Sequence, residues 1–228
     1  MDDKTCIPFA QVCFKNRFIY LFISILVVLV ISPIIESVAP LRILFSIFIT
    51  AVIVSATYAL SQKTRHIIIA SALAVPALGF MWASDYSDSG LLFLASHISN
   101  LLFFLFIVVH ILMYISGQKV VSRDLIVGAA VVYLLMAVIW SYIYLTIETI
   151  HPGAFNIPDS HSLGRRYLFI YYSLVTISTL GYGDVTPATN IAGGFSVLEA
   201  VIGQLYLVTM VAWLVGVYVS QSVKSKIT

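Results

Sequence analysis

The stretch TISTLGYGD, residues 176–184, contains residue types that can bind a dehydrated cation through the peptide backbone. Gly181 and Gly183 can adopt positive φ without steric cost, because glycine has no Cβ atom. A chain that alternates such residues with others can direct successive carbonyl oxygens to one side. Thr179 adds a hydroxyl oxygen at one end of this row. Several copies around a common axis would form stacked rings of oxygens that replace the water shell of a cation.

The chain around this stretch is too apolar for a soluble domain. Hydrophobic residues make up 61% of the 228 residues, charged residues make up 10%, and the mean hydropathy is +1.03. Soluble domains carry about 25% charged residues, so the sequence predicts an integral membrane protein. The net charge of +2 gives no indication of nucleic-acid binding. Cys6 and Cys13 lack the spacing of a metal site.

The apolar segments predict an all-α membrane protein with six transmembrane helices and a re-entrant pore helix. A spanning helix needs about 20 mostly apolar residues. The predicted spans are residues 18–36, 43–61, 66–83, 91–116, 125–147 and 192–220. The apolar run at 167–180 is too short to cross, so it is predicted to enter the membrane and return. Non-helical backbone is tolerated at that depth only where it is buried in protein or lines a water-filled path.

The basic residues predict which side each loop faces, because cytoplasmic loops are enriched in lysine and arginine. With both termini inside, nine of the twelve basic residues are cytoplasmic: Lys4, Lys15, Arg17, Lys63, Arg65, Lys119, Arg123, Lys224 and Lys226. The half-helix then enters from the outer face. The expected location is the cell membrane, with several passes and cytoplasmic N- and C-termini.

The motif TISTLGYGD resembles the selectivity filter of tetrameric potassium channels, whose carbonyl oxygens replace the hydration shell of K⁺. The longer segment YYSLVTISTLGYGDVTP resembles the pore helix, filter and outer mouth of that family without a gap. Gly203 follows Asp184 by nineteen positions, where the family has its hinge glycine. The resemblance covers about residues 125–220, the two-helix pore module. One motif per chain cannot close a ring of carbonyl oxygens. The resemblance therefore implies a homotetramer in membrane lipid.

The resemblance implies a role for each matching position. The implied K⁺-binding filter consists of Thr179, Leu180, Gly181, Tyr182 and Gly183, with the carbonyls of the first four and the Thr179 hydroxyl as ligands. The implied filter support consists of Asp184, Thr176, Ser178, Val175, Tyr171 and Tyr172. The implied hinge and cavity residues are Gly203, Gln204 and Glu199. Permeant K⁺ is the only bound species implied, so no cofactor is expected.

Three departures from the family pattern concern residues behind the filter. Leu180 stands where valine or isoleucine is more common, and Val175 stands where some members have a carboxylate. Tyr171 and Tyr172 replace tryptophans that restrain the filter in many members.

Glu199 is an ionisable residue in the middle of a predicted membrane span, and such a residue indicates a function. It either faces the pore cavity or braces the back of the pore helix.

The predicted organisation is a four-helix membrane domain followed by a pore module. Its segments are an N-terminal segment (1–17), the four-helix domain (18–118), the pore module (119–221) and a tail (222–228). Within the pore module the predicted parts are the outer helix (125–147), outer loop (148–166), pore helix (167–178), filter (179–184) and inner helix (192–220). The tail is too short for a fused ligand-binding domain, so none is expected.

The fourth predicted span contains no arginine or lysine, so steep voltage gating lacks its charges. His97 and Asn100 share a face of that span, and helix packing is the favoured interpretation for them and for His110, with proton sensing as the alternative. His151 and His161 are predicted to be solvated loop residues. The sequence does not indicate the gating stimulus.

Two other functions remain as alternatives. A potassium-transporter subunit would carry four degenerate filters in one chain, and this chain has one complete GYGD. A nonselective cation channel would be expected to break the GYG core, which is intact. Sequence signatures of membrane enzymes are absent: there is no HExxH and no GxSxG. The predicted function is therefore passive conduction of potassium.

Overall fold

The computed structural model describes residues 17–36, 42–60, 64–87, 89–118, 120–158 and 164–227. These residues form helices and one small sheet. The helices are α1 (Arg17–Glu36), α2 (Arg42–Ala59), α3 (Thr64–Asp85), α4 (Gly90–Ser116), α5 (Arg123–Ile150), α6 (Arg165–Ile177) and α7 (Asn190–Ile227). Strands β1 (Phe155–Asn156) and β2 (Thr186–Pro187) pair antiparallel. Cys6, Cys13 and His161 lie outside the described residues.

In the described part of the chain, four helices are long and apolar enough to cross a membrane. Their apolar stretches are Arg65–Asp85, Gly90–Ser116, Arg123–Ile150 and Asn190–Val217. Helices α1 and α2 contribute shorter apolar stretches, Arg17–Ile31 and Ile43–Ala59. The protein is therefore a multi-pass membrane protein with an all-helical core.

The helices of the pore module extend beyond the limits predicted from hydropathy. The predicted outer helix, 125–147, is observed as Arg123–Ile150, and the predicted inner helix, 192–220, continues to residue 227. Helix α5 begins early because Ser122 caps it, its side chain accepting a hydrogen bond from the Leu125 amide at 3.2 Å. Helix ends are often polar, so a scan for apolar residues finds the centre of a helix and misses its caps.

The helix that was predicted as the pore helix differs from its predicted bounds in the same way. Helix α6 spans Arg165–Ile177, whereas the apolar run predicted residues 167–178. Two arginines form its first turn, so the predicted outer loop, 148–166, ends two residues early. The predicted outer loop also begins later than residue 148, because Ile150 still belongs to α5.

The first four helices form a bundle that packs against α5 through two of its members. Helices α1 and α4 both contact α5, while α1 pairs with α2 and α3 pairs with α4. Large apolar side chains fill this interior, among them Phe18, Phe103, Phe104 and Ile107, each at most 1% exposed. A polar contact lies among them: the buried Asn100 amide donates to the Ala77 carbonyl at 3.3 Å. The packing interpretation of Asn100 agrees with this contact.

An aromatic cluster attaches α6 to α5 and to the small sheet. Tyr144 of α5 and Tyr172 of α6 meet edge-to-face at 5.1 Å between ring centroids. Phe155 of β1 contacts both rings at 5.4 Å and the Phe169 ring at 5.0 Å. Edge-to-face pairs add about 0.5–1.5 kcal/mol each beyond burial. The cluster therefore fixes the position of α6, from which the glycine-rich loop emerges.

Candidate functional site

The loop that follows α6 has an alternating backbone conformation. Thr179, Gly181 and Gly183 have φ of 58°, 58° and 78°, whereas Leu180 and Tyr182 between them do not have positive φ. Such alternation turns successive carbonyls toward the same side of the chain. Thr179 is the one non-glycine residue with positive φ in the described part of the chain. A β-branched residue in that region is disfavoured at a cost of about 1–3 kcal/mol.

The backbone of the loop is attached to the last turn of α6. The Thr179 amide donates to the Thr176 carbonyl at 2.9 Å. The Leu180 and Gly181 amides both donate to the Val175 carbonyl, at 3.0 and 3.3 Å. Val175 therefore supports the loop through its backbone, and an apolar side chain at this position leaves that support intact.

The outer end of the loop is restrained by Tyr171. Its hydroxyl donates to the Asp184 carboxylate at 2.6 Å, and the same carboxylate accepts from the Val185 amide at 3.0 Å. The Tyr171 ring also stacks on the Tyr182 ring, 6.4 Å away at 9°. Tyr171, which replaces a tryptophan of the family pattern, therefore restrains the outer end of the loop.

The neighbouring tyrosine has a different partner. The Tyr172 hydroxyl lies 2.7 Å from the Ser196 hydroxyl of α7, and Ser196 itself donates to the Ala192 carbonyl at 2.9 Å. Tyr172 therefore donates to Ser196 and ties α6 to α7. Thr176 and Ser178 donate to carbonyls of their own helix, at 2.8 and 2.6 Å.

Glu199 lies behind α6, at the junction of three helices. Its side chain is 0% exposed. The Tyr144 hydroxyl of α5 donates to one carboxyl oxygen at 2.5 Å, and the other oxygen contacts the Ser173 hydroxyl of α6. Ser173 also contacts the Ala137 carbonyl of α5 at 2.7 Å. Of the two alternatives for Glu199, a cavity-facing residue or a brace behind α6, the second agrees with its burial and its contacts.

Gly203 allows α7 to approach the C-terminal end of α6. A Cβ atom at this position would lie 2.4 Å from Ile177 Cγ1 and 2.9 Å from the Ile177 carbonyl oxygen. The same carbonyl accepts a hydrogen bond from the Tyr133 hydroxyl of α5 at 3.1 Å. Helix α7 is continuous through Gly203, so this glycine serves close packing here, and its hinge role stays a prediction. Gln204, the next residue, is exposed.

The loop and the inner helix are exposed in a single chain. Residues 179–183 are all exposed, Leu180 by 56% and Tyr182 by 65%. In the most apolar part of α7 only 6% of the residues are buried, whereas in the most apolar part of α5 the share is 61%. One chain therefore covers neither its loop nor its longest helix.

Three of the described histidines have the following surroundings. His97 is buried, with its ring 6.3 Å from that of Tyr142. His110 contacts the Phe106 carbonyl at 2.8 Å, and its ring lies 4.7 Å from that of His66. His151 is exposed beyond the end of α5. Among the described residues, no group of three or more His, Cys, Asp or Glu could hold a metal ion.

Sequence reasoning missed the partners of the buried groups. Ser173 and Tyr144 carry no signal of their own, because serine and tyrosine are common in apolar helices. Arg166 was placed in the outer loop, and its ion pair with Asp85 at 2.7 Å joins residues 81 positions apart. Because the predicted helix began at residue 167, Arg166 was not assigned to a helix, and no local signal indicated this pair.

A short helix that leads into an alternating backbone loop, between two membrane-crossing helices, defines a pore-forming membrane protein. The chain belongs to the ion channel family, which matches residues 101–220, just over half of its length. The match begins within α4 and includes α5, α6, the loop and most of α7. The expectation of a channel family is thereby confirmed. Comparisons with curated proteins and with solved structures gave no match.

Proposed function

We propose that this chain is a subunit of a potassium-selective channel that conducts K⁺ passively through rings of backbone carbonyls. The alternating φ values of Thr179, Gly181 and Gly183 carry this proposal, because they aim the carbonyls of residues 179–182 toward one side. Carbonyl oxygens in such rows replace the hydration shell of K⁺. The Thr179 hydroxyl closes the innermost ring.

The field of α6 favours a cation near the loop. The C-terminal end of a helix carries a partial negative charge of about half an elementary charge. Helix α6 ends at Ile177, directly before the loop, so four such ends would converge below the filter. The conducting groups are thus backbone atoms and a helix dipole, and the mechanism requires no catalytic residue and no cofactor.

The working unit is a homotetramer. Each chain supplies one row of carbonyls, and a closed ring needs four rows. The exposure of Leu180, Tyr182 and the most apolar part of α7 supports this assembly, since neighbouring copies would cover surfaces that one chain leaves open. Membrane lipid covers the outward-facing remainder.

The proposed topology has six crossings, with α1 and α2 also spanning and α6 re-entrant from the outer face. Both termini are cytoplasmic, which places most lysines and arginines inside. Helix α4 has no arginine or lysine, and each gating charge supplies about 2.3 kcal/mol per 100 mV. Opening is therefore not driven by charges on α4.

Reversal potentials of the protein reconstituted in planar bilayers test the proposal. With K⁺ on one side and Na⁺ on the other, a potential that follows the K⁺ gradient supports it. Gly181→Ala should abolish selective conduction, because φ of 58° strains any side chain. Gly194→Ala is the matched control: this glycine lies in α7, and a Cβ there meets nothing within 4 Å.

The same recordings separate the alternatives. Equal permeability to Na⁺ and K⁺ would identify a nonselective cation channel. Flux of K⁺ that requires a second ion would identify a transporter subunit. Either result overturns the proposal.

A further inference from the structure

A cluster of polar side chains joins the start of α6 to the four-helix domain. Arg166 donates to the Asp85 carboxylate at 2.7 Å and to the Ser84 hydroxyl at 3.1 Å. It also donates to the Ser46 hydroxyl at 3.2 Å, and Ser46 in turn donates to Asp85. We name these four residues the outer clasp. It brings together α2, α3 and α6.

The outer clasp is well shielded for an ion pair at the end of a bundle. The side chains of Arg166 and Asp85 are 22% and 13% exposed, and Ser46 and Ser84 are buried. Charge-assisted hydrogen bonds are about twice as strong as neutral ones. A shielded ion pair of this kind contributes more to stability than an exposed surface pair, whose contribution is small.

Each charge of the outer clasp is unfavourably placed in its own helix. Arg166 lies in the first turn of α6, and Asp85 is the last residue of α3. Helix dipoles disfavour a cation at the start and an anion at the end. Neither residue therefore benefits from its own helix, and the pairing between the helices compensates both. The pair therefore stabilises the connection between the helices rather than either helix alone.

Helix α6 connects the outer clasp to the filter loop. Arg166 is the second residue of this 13-residue helix, and the amides of Thr179, Leu180 and Gly181 bond to carbonyls of its last turn. A second contact at the same end, from the Tyr167 hydroxyl to the Leu29 carbonyl of α1 at 3.5 Å, adds a third helix of the four-helix domain. A shift of that domain therefore displaces α6 and the loop attached to it.

We propose that Arg166 is a positioning residue, through which the four-helix domain holds the pore helix and keeps the filter loop in its conducting conformation. This inference rests on the proposed function. It assigns to the first four helices a role that requires no charged voltage sensor: they hold the filter from its outer side.

Amide hydrogen exchange in residues 179–184 of the detergent-solubilised full-length protein tests the outer clasp without recording current. Arg166→Ala should speed exchange of the Thr179, Leu180 and Gly181 amides about tenfold, equivalent to about 1.4 kcal/mol. Arg165→Ala is the matched control, because Arg165 is exposed and carries the same charge in the same turn. It should change exchange less than twofold. Exchange in α4 should be unchanged in both variants.

The reversed pair, Asp85→Arg with Arg166→Asp, distinguishes the clasp from a general loss of stability. Each charge then suits its helix dipole and the pairing is retained, so exchange should return to within twofold of the wild-type rate. In bilayers, Arg166→Ala should lower the open probability about tenfold, about 1.4 kcal/mol, at unchanged unitary conductance and reversal potential.

The proposal is overturned if Arg166→Ala and Arg165→Ala give the same exchange in the loop, or if the reversed pair protects the loop no better than Arg166→Ala. Should Arg166→Ala fail to fold, the reversed pair is compared with Asp85→Arg alone, with the same two outcomes. A wild-type protein that conducts Na⁺ as well as K⁺ would refute the proposed selectivity and leave the exchange result to decide the clasp.

Discussion

Glu199 provides the sharpest test of how α6 is held. Its carboxyl group contacts the hydroxyls of Tyr144 and Ser173, and Ser173 also contacts the Ala137 carbonyl. A serine hydroxyl has one proton, and a carbonyl can only accept. All three contacts are satisfied when Ser173 donates to Ala137 and a protonated Glu199 donates to Ser173. We therefore predict that Glu199 is a neutral carboxylic acid.

The isosteric substitution Glu199→Gln should then be nearly silent. A glutamine amide can still donate to Ser173 and accept from Tyr144, so both contacts remain. Glu199→Ala removes both contacts and leaves a space where the carboxyl was. Loss of a partner at a buried polar group costs about 1–3 kcal/mol, and interhelical hydrogen bonds in membranes contribute about 0.6–1.7 kcal/mol each. We expect Glu199→Ala to lower the free energy of unfolding by about 2–3 kcal/mol.

Thermal unfolding in detergent measures this difference. A loss of about 2–3 kcal/mol lowers the midpoint by roughly 5–10 °C for a chain of this length, and Glu199→Gln should stay within about 2 °C of wild type. The infrared spectrum adds an independent readout, because a protonated carboxyl has a carbonyl band that an ionised one lacks. If the difference spectrum between wild type and Glu199→Gln contains no such band, the proton assignment is refuted.

Three further predictions concern single contacts. Gly203→Ala should destabilise the protein by about 1–3 kcal/mol, since the added Cβ would meet α6 at 2.4 Å; thermal unfolding checks it, with Gly194→Ala as the tolerated comparison. Tyr171→Phe should keep the ring stacking and lose the 2.6 Å bond to Asp184, so single-channel records should show shorter openings at unchanged conductance, and unchanged open times would contradict the restraint. Asn100→Leu should change the free energy of unfolding by less than about 1 kcal/mol, because its 3.3 Å interhelical bond is weak; a larger loss in denaturant titration would show that this bond matters more.

Local features of the site could be predicted from the sequence. The glycines at 181 and 183 predicted a loop with positive φ, and both residues adopt it. The apolar run before them predicted a short helix, and α6 is that helix within two residues at each end. Membership of a channel family was predicted from the same motif and is confirmed by the family match. Each of these properties depends on residues close together in the chain.

The partners of the buried polar groups could not be predicted in the same way. Glu199 left two alternatives open, since helical periodicity places a residue on a face and does not say what that face contacts. Its contacts with Tyr144 and Ser173 join positions 55 and 26 residues away. Arg166 looked like an ordinary loop charge, and its partner Asp85 lies in another helix of the bundle.

The sequence by itself determined that this chain enters a membrane, and it determined which residues can present a row of carbonyl oxygens. Hydropathy and the positions of glycine are sufficient for both, because they act over a few neighbouring residues. Only the tertiary structure decided how that row is held. Glu199 and Arg166 find their partners through the packing of α2, α3, α5 and α7 around α6, and no local pattern encodes contacts between helices that are distant in the chain.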